Sequence, residues 1–115
     1  MSNFRDHYIP GVTEALKKWY GGLAESFLIK IGISKGSNVV DFGCGAGNYV
    51  LPAGKIVGEE GRVYAIDSKQ IVIDEINKKI KQQNLTEQIT TIKTTGDFNF
   101  PLEDKSIDFT LIFDV

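Results

Sequence analysis

Three glycines and four aspartates carry the chemistry open to this 115-residue chain. The stretch "VVDFGCGAGN", residues 39–48, runs apolar up to an acid, Asp41, and then breaks into alternating Gly43, Gly45 and Gly47. A strand that ends this way turns sharply into a helix, and glycines let the bare backbone come close to a ligand. Three further acids, Asp67, Asp97 and Asp114, stand near the ends of three later runs rich in apolar or β-branched residues. The turn could hold a phosphate, hold a cationic group, or be turn chemistry alone.

The dinucleotide fingerprint G-x-G-x-x-G uses its glycines for a tight turn, for approach to pyrophosphate and for helix packing. Gly43 and Gly45 fit it, but its third position is Asn48, and the glycine stands at Gly47, giving G-x-G-x-G. Asp41, two residues before Gly43, would oppose a pyrophosphate. A rim of carboxylates repels phosphates and suits a ligand with an ammonium, a sulfonium, a ribose diol and an adenine, which describes S-adenosylmethionine. Asp67 lies 20 residues beyond Gly47, the interval of a ribose-binding acid, since one carboxylate can accept from both hydroxyls.

These residues need a scaffold that gathers strand ends. Residues 12–20, "VTEALKKWY", place Val12, Leu16, Trp19 and Tyr20 roughly on one helical face; Gly21-Gly22 interrupts, and Leu23, Phe27 and Ile31 resume before Gly32, a helix-ending glycine. Two short helices or one broken one are expected. A strand at 39–42 follows, then a helix starting near Ala46 to Tyr49, where Pro52 falls in a first turn whose donors are unpaired anyway, and ending at Gly58. "RVYAID" is a second strand ending at Asp67. The next helix carries the stripe Val72, Ile73, Ile76 and Ile80, with Ser68 as its N-cap and Asp74–Lys78 and Glu75–Lys79 as i,i+4 pairs. "QITTIKTT" is a third strand whose Lys93 suits a sheet edge, "GDFNFPLEDKS" a loop, and "IDFTLIFDV" a fourth strand with Ile107, Phe109, Leu111 and Phe113 on one side. Alternating strands and helices predict an α/β fold, a Rossmann-like doubly wound parallel sheet covered on both faces, with ligands at the carboxyl ends of the strands.

Composition excludes other classes. A net charge of -2 gives no field that draws a protein to nucleic acid or acidic lipid. One cysteine, Cys44, and one histidine, His7, leave neither an internal disulfide nor a metal cluster. The N-terminus "MSNFRDHYIPG" lacks a signal peptide's apolar block, and no apolar run nears the ~20 residues of a membrane span, so a cytoplasmic protein is expected.

"VVDFGCGAGNYVLPAGKIVGEEGRVYAIDSKQ" and "TTGDFNFPLEDKSIDFTLIFDV" together resemble class I S-adenosylmethionine-dependent methyltransferases, in particular the small-molecule branch that includes ubiquinone and menaquinone biosynthesis enzymes. The resemblance runs from about Lys35 to Val115. It implies that the turn from Gly43 through Cys44 and Gly45 to Gly47 lies along the methionine part of the cofactor, with Asp41 nearby. It implies further that Asp67, followed by Ser68, binds the ribose, that Asp97 accepts from the adenine amino group beside Phe98, and that Asp114 borders the transferable methyl group. Each residue has a plainer role open to it: Asp97 as a turn residue, Cys44 as a small turn residue without a base to activate it, Trp19 and Tyr20 as core.

Methyl transfer from a sulfonium is an in-line displacement in which alignment in a dry site supplies most of the acceleration. No triad or metal is required, and no catalytic residue is assigned. The resemblance also implies seven strands in the order 3-2-1-4-5-7-6, of which four are expected here. Residues 1–34 then form a helical lead and 35–115 a cofactor-binding half of one domain, truncated after the fourth strand. The expected function is methyl transfer to a small-molecule acceptor. The alternatives are a non-catalytic cofactor-binding module or fragment and, less favoured, a nucleotide-binding oxidoreductase domain. Self-association through an exposed fourth-strand edge is also expected.

Overall fold

The computed structural model describes residues 10–95 and 107–112. Helix α1 (Pro10–Lys18) runs into a π-helical turn at Trp19–Leu23 and then α2 (Ala24–Lys30). The lead is thus one broken helix, and the break is at Gly22, whose φ of +132° only glycine adopts readily. The far end of α2 stops as its sequence implies. Gly32 turns left-handed at φ +112°, its N–H donates to Ile29 O at 3.0 Å, and the N–H of Ile33 reaches back to Leu28 O at 3.1 Å. That pair of bonds satisfies the last carbonyls and drops Ile33 into the core beside Leu28.

Four parallel strands follow: β1 (Asn38–Phe42), β2 (Arg62–Asp67), β3 (Ile89–Lys93) and β4 (Phe109–Leu111), in the order β3-β2-β1-β4. Helix α3 (Val50–Val57) joins β1 to β2, and α4 (Gln70–Gln82) joins β2 to β3. This is the expected Rossmann-like α/β arrangement. Register pairs Asp41 with Ala65 of β2 and Leu111 of β4, and Asp67 with Lys93 of β3. Lys93 is exposed on an edge strand, as expected.

The core takes Val39, Val63, Ala65, Ile89 and Leu111 from one sheet face and packs them against residues of α2, α3 and α4. Crossovers of one hand running in one direction, β1 to β2 to β3, set their helices on the same face. The described helices therefore cover one face; residues 96–106, between β3 and β4, lie outside the described residues.

Four local expectations need correction. Helix α3 starts at Val50, with Tyr49 at the cap, because Gly47 at φ +84° keeps the chain out of helical geometry until then. Pro52 is thereby the third helical residue, still within the turn whose donors have no intrahelical partner. Helix α4 starts at Gln70 with Lys69 at the cap position and no side-chain capping bond, so Ser68 is not its N-cap. The i,i+4 pairs are replaced by Lys78–Glu75 at 3.6 Å and by a Gln70 amide donating to Asp74 at 2.8 Å. The fourth strand is shorter than expected. Asp108 lies outside it, donating its N–H to Asn38 O at 2.8 Å while its carboxylate accepts from Asn38 N–H at 2.7 Å. The alternation holds, with Phe109 half-buried, Leu111 buried, and Thr110 and Ile112 exposed; Phe113 lies outside the described residues.

Candidate functional site

Strand order reverses between β1 and β4, since β2 and β3 lie to one side of β1 and β4 to the other. A crevice for ligands forms beyond the carboxyl ends of strands at such a reversal. The glycine turn stands there, held by bonds that the sequence spacing does not reveal. The N–H groups of Gly43 and Cys44 donate to Ile66 O at 2.8 and 3.1 Å, so the turn is tied to the end of β2. Gly47 N–H donates to Cys44 O at 2.9 Å and closes the loop, and Leu51 N–H then reaches Gly47 O at 3.1 Å as α3 begins.

The three glycines are all left-handed, at φ +66°, +52° and +84°. Gly47 is buried, and a Cβ there would collide with the Cδ1 of Ile76 on α4, so it allows close helix packing. Among the described residues an added Cβ at Gly45 would meet only Gly43 O, at 3.9 Å. That half of the turn faces open space, which is what a ligand lying along bare backbone requires.

Asp67 faces Gly45. Its Oδ2 accepts the Gly45 N–H at 3.3 Å, and its Oδ1 accepts the Lys69 N–H at 3.1 Å, an Asx turn that launches α4. The carboxylate is half-exposed, so its remaining lone pairs can accept from a diol. Asp41 is different: it shares the sheet face of Val39 and Leu111 and is 1% exposed, beneath the rim. Cys44 is fully buried among core residues and offers the site its backbone only. Ser68 is exposed beside Asp67. Asp97, Phe98 and Asp114 lie outside the described residues. The structure therefore brings together Asp41, Gly43, Cys44, Gly45, Gly47, Asp67 and Ser68.

Two partners of the turn escaped the sequence reading. Lys79 of α4 donates to Ala46 O at 2.9 Å. Its position carried the signal, three residues after Ile76 and so on the helix face that packs against Gly47. Asn48, noted only as a misplaced third glycine, receives two donors from the helical lead: Trp19 Nε1 to its backbone O at 2.6 Å, and Tyr20 OH to its Oδ1 at 2.6 Å. A groove between α4 and β3, lined by Asn77, Lys81, Thr86 and Thr91 among others, includes none of the predicted site residues.

Residues 39–115 match the methyltransferase domain family. The chain belongs to that family. The chain is 32% identical over 91 residues to demethylmenaquinone methyltransferase of Lactobacillus johnsonii, covering 79% of this chain and 37% of that protein. It is 35% identical over 89 residues to a protein of Saccharolobus solfataricus named "probable cobalt-precorrin-6B C(15)-methyltransferase (decarboxylating)", covering 77% and 41%. The crystal structure of a SAM dependent methyltransferase from Aquifex aeolicus superposes with a TM-score of 0.69 at 32% identity, over 77% of this chain and 46% of that one. The chain spans about two fifths of the length of these curated relatives. S-adenosyl-L-methionine is the methyl donor of the family, and the open backbone at Gly45 beside the half-exposed carboxylate of Asp67 fits its methionine and ribose parts. A methyl acceptor is implied in turn.

Proposed function

We propose that this methyltransferase domain binds S-adenosylmethionine across the Gly43–Gly47 turn and serves methyl transfer to a small-molecule acceptor. The observation that carries the reading is the placement of Asp67 at the carboxyl end of β2, whose carboxylate spans from the Gly45 N–H of the glycine turn to the Lys69 N–H. The bound cofactor supplies an electrophilic methyl on a sulfonium. The chain's own residues bind and align: Asp67, with Ser68 beside it, takes the ribose hydroxyls, and the open backbone around Gly45 takes the methionine part. Asp41, buried beneath the turn, is proposed to lie near the methionine part. Asp97 and Phe98 are proposed for adenine and Asp114 for the edge of the reacting centre. No general base is assigned, because alignment and exclusion of water supply most of what this displacement needs.

A small acceptor is supported by the absence of a net cationic field, at -2, and by the small-molecule acceptors named for the Lactobacillus johnsonii and Saccharolobus solfataricus relatives. We read residues 1–34 as a helical lead and 35–115 as the cofactor-binding part of one domain. A cytoplasmic location is part of the same proposal; among the described residues no helix is long and apolar enough to cross a membrane.

Calorimetry with S-adenosylmethionine, its demethylated product and a nicotinamide dinucleotide tests the reading. Binding of the first two and not the third is expected. Dinucleotide binding alone would overturn it in favour of an oxidoreductase domain. Cofactor binding without turnover of any small acceptor would reduce the chain to a binding module, and methylation of RNA would replace the acceptor class. A further expectation concerns partners. Among the described residues β4 pairs with β1 alone, and Ile112 beside it is 64% exposed. An open apolar edge of this kind recruits a partner strand, so the 115-residue chain in isolation is expected to self-associate. A stable monomer in light scattering at high concentration would refute that.

A further inference from the structure

Trp19 and Tyr20 are consecutive residues, yet both donate to Asn48, one to its backbone carbonyl and one to its side chain. Neighbours on a regular helix point about 100° apart, so a shared target needs altered geometry. The π-helical turn from Trp19 to Leu23 provides it, closed by the Gly22 kink. Among the described residues an added Cβ at Gly21 or Gly22 would meet nothing within 4 Å, so their packing does not call for glycine at either position; the backbone conformation at Gly22 does. Below the kink, Ala24 and Leu28 fix α2 in the core. Above it, the Trp19 ring packs edge-on to Tyr49 at 5.3 Å and tilted against Phe27 at 5.9 Å.

Asn48 stands between Gly47, the last glycine of the turn, and Tyr49, the cap position of α3. It also occupies the place where a dinucleotide turn has its third glycine, which could offer no side chain to a phenol. The Tyr20 ring is 43% exposed, so water could serve its hydroxyl, and burial does not force this bond. We infer that Trp19 and Tyr20 are positioning residues for the cofactor site, acting through Asn48 to hold the Gly45–Gly47 backbone in its ligand-ready shape. The inference rests on the functional reading above. It assigns to the helical lead a share of cofactor affinity without contact between Tyr20 and cofactor, because a turn already held in its bound shape loses less entropy on binding.

Trp19 is the chain's single tryptophan, so its emission is a built-in reporter. Titrating the 115-residue chain with S-adenosylhomocysteine should change that emission, with the midpoint that calorimetry gives. Tyr20→Phe and Asn48→Ala should each weaken binding about two- to tenfold, as befits one hydrogen bond. The double variant should be no weaker than the poorer single one, because both lose the same contact. Without ligand, amide exchange at 45–48 should quicken in Tyr20→Phe while β3 keeps its protection. Additive losses, unchanged affinities, or constant Trp19 emission as the site fills would overturn the inference. If the unaltered chain binds no S-adenosylhomocysteine, the functional reading falls and the exchange experiment alone decides the clasp: unchanged exchange at 45–48 would end it.

Discussion

The two halves of the glycine turn are built to opposite ends. From Ala46 to Asn48 the chain is gripped: Ile76 closes on Gly47, Lys79 holds Ala46 O, and Trp19 and Tyr20 hold Asn48. Around Gly45, two residues away and also left-handed, an added Cβ would meet no described residue more closely than Gly43 O at 3.9 Å, and the N–H is held by the half-exposed Asp67. Side chains of α4 and of the helical lead thus hold the second half, whereas the first half is held by backbone bonds to Ile66 O and by Asp67. Gly47 answers to packing, and Gly45 is the one proposed to answer to binding, a distinction that a motif cannot express.

Substitutions along the turn should separate these roles. Gly47→Ala should be the costliest. A left-handed alanine is strained by roughly 1–2 kcal/mol, and its methyl overpacks Ile76 by a further ~1–3 kcal/mol. Urea unfolding should therefore show a loss of about 2–5 kcal/mol. Ile76→Val removes the colliding Cδ1 and should recover part of that loss in the double variant; no recovery would mean that packing against α4 is not the constraint.

Asp67→Ala comes next. Each charge-assisted bond to a ribose hydroxyl contributes about 1.5–3 kcal/mol, so cofactor affinity should fall by one to several orders of magnitude in calorimetry. From the sequence its unliganded stability would change little. The structure revises this to a loss of about 1 kcal/mol, because both carboxylate oxygens accept backbone N–H groups. Unchanged affinity would leave Asp67 with the Asx turn as its only role.

Gly45→Ala should cost stability only its left-handed strain, about 1–2 kcal/mol. Cofactor binding should weaken about tenfold or more, as a methyl enters the ligand's space. Were Gly45→Ala to match Gly47→Ala in stability loss and spare binding, the contrast between the two halves would be wrong. Ser68→Ala should be smallest, with stability within about 0.5 kcal/mol by thermal melting, since the residue is exposed and caps nothing.

What the sequence made legible was whatever local pattern dictates. An apolar run broken by glycines marked β1, a run ending at Asp67 marked β2, the stripe Ile73, Ile76 and Ile80 marked α4, and their alternation implied a parallel sheet, whose strand order the family resemblance supplied. Asp41 and Asp67 were found by position, but their contrast in burial was not, because it depends on which sheet face the helices cover. The local rules that failed were overruled by distant partners. Lys79 leaves its predicted i,i+4 pairing for a carbonyl 33 residues away, and the Trp19 indole, packed against Phe27 and Tyr49, donates to one 29 residues away. Capping of α4 by Ser68 failed more locally, since Asp67 already holds the Lys69 N–H.

The paired bonds between Asn38 and Asp108, 70 residues apart, bear on how the molecule assembles. β1 can zip to β2 through a short excursion, from Asn38 to Arg62, whereas its other edge waits for the chain to return across that much longer loop. On loop-length scaling the second closure costs about 1 kcal/mol more entropy than the first. Folding should therefore begin on the β1–β2–β3 side, and β4 should dock last. Weakening the Asn38–Asp108 pair should then speed unfolding and leave the folding rate nearly untouched. The wall of the crevice on the β4 side would be the last part of the site to form and the first to open.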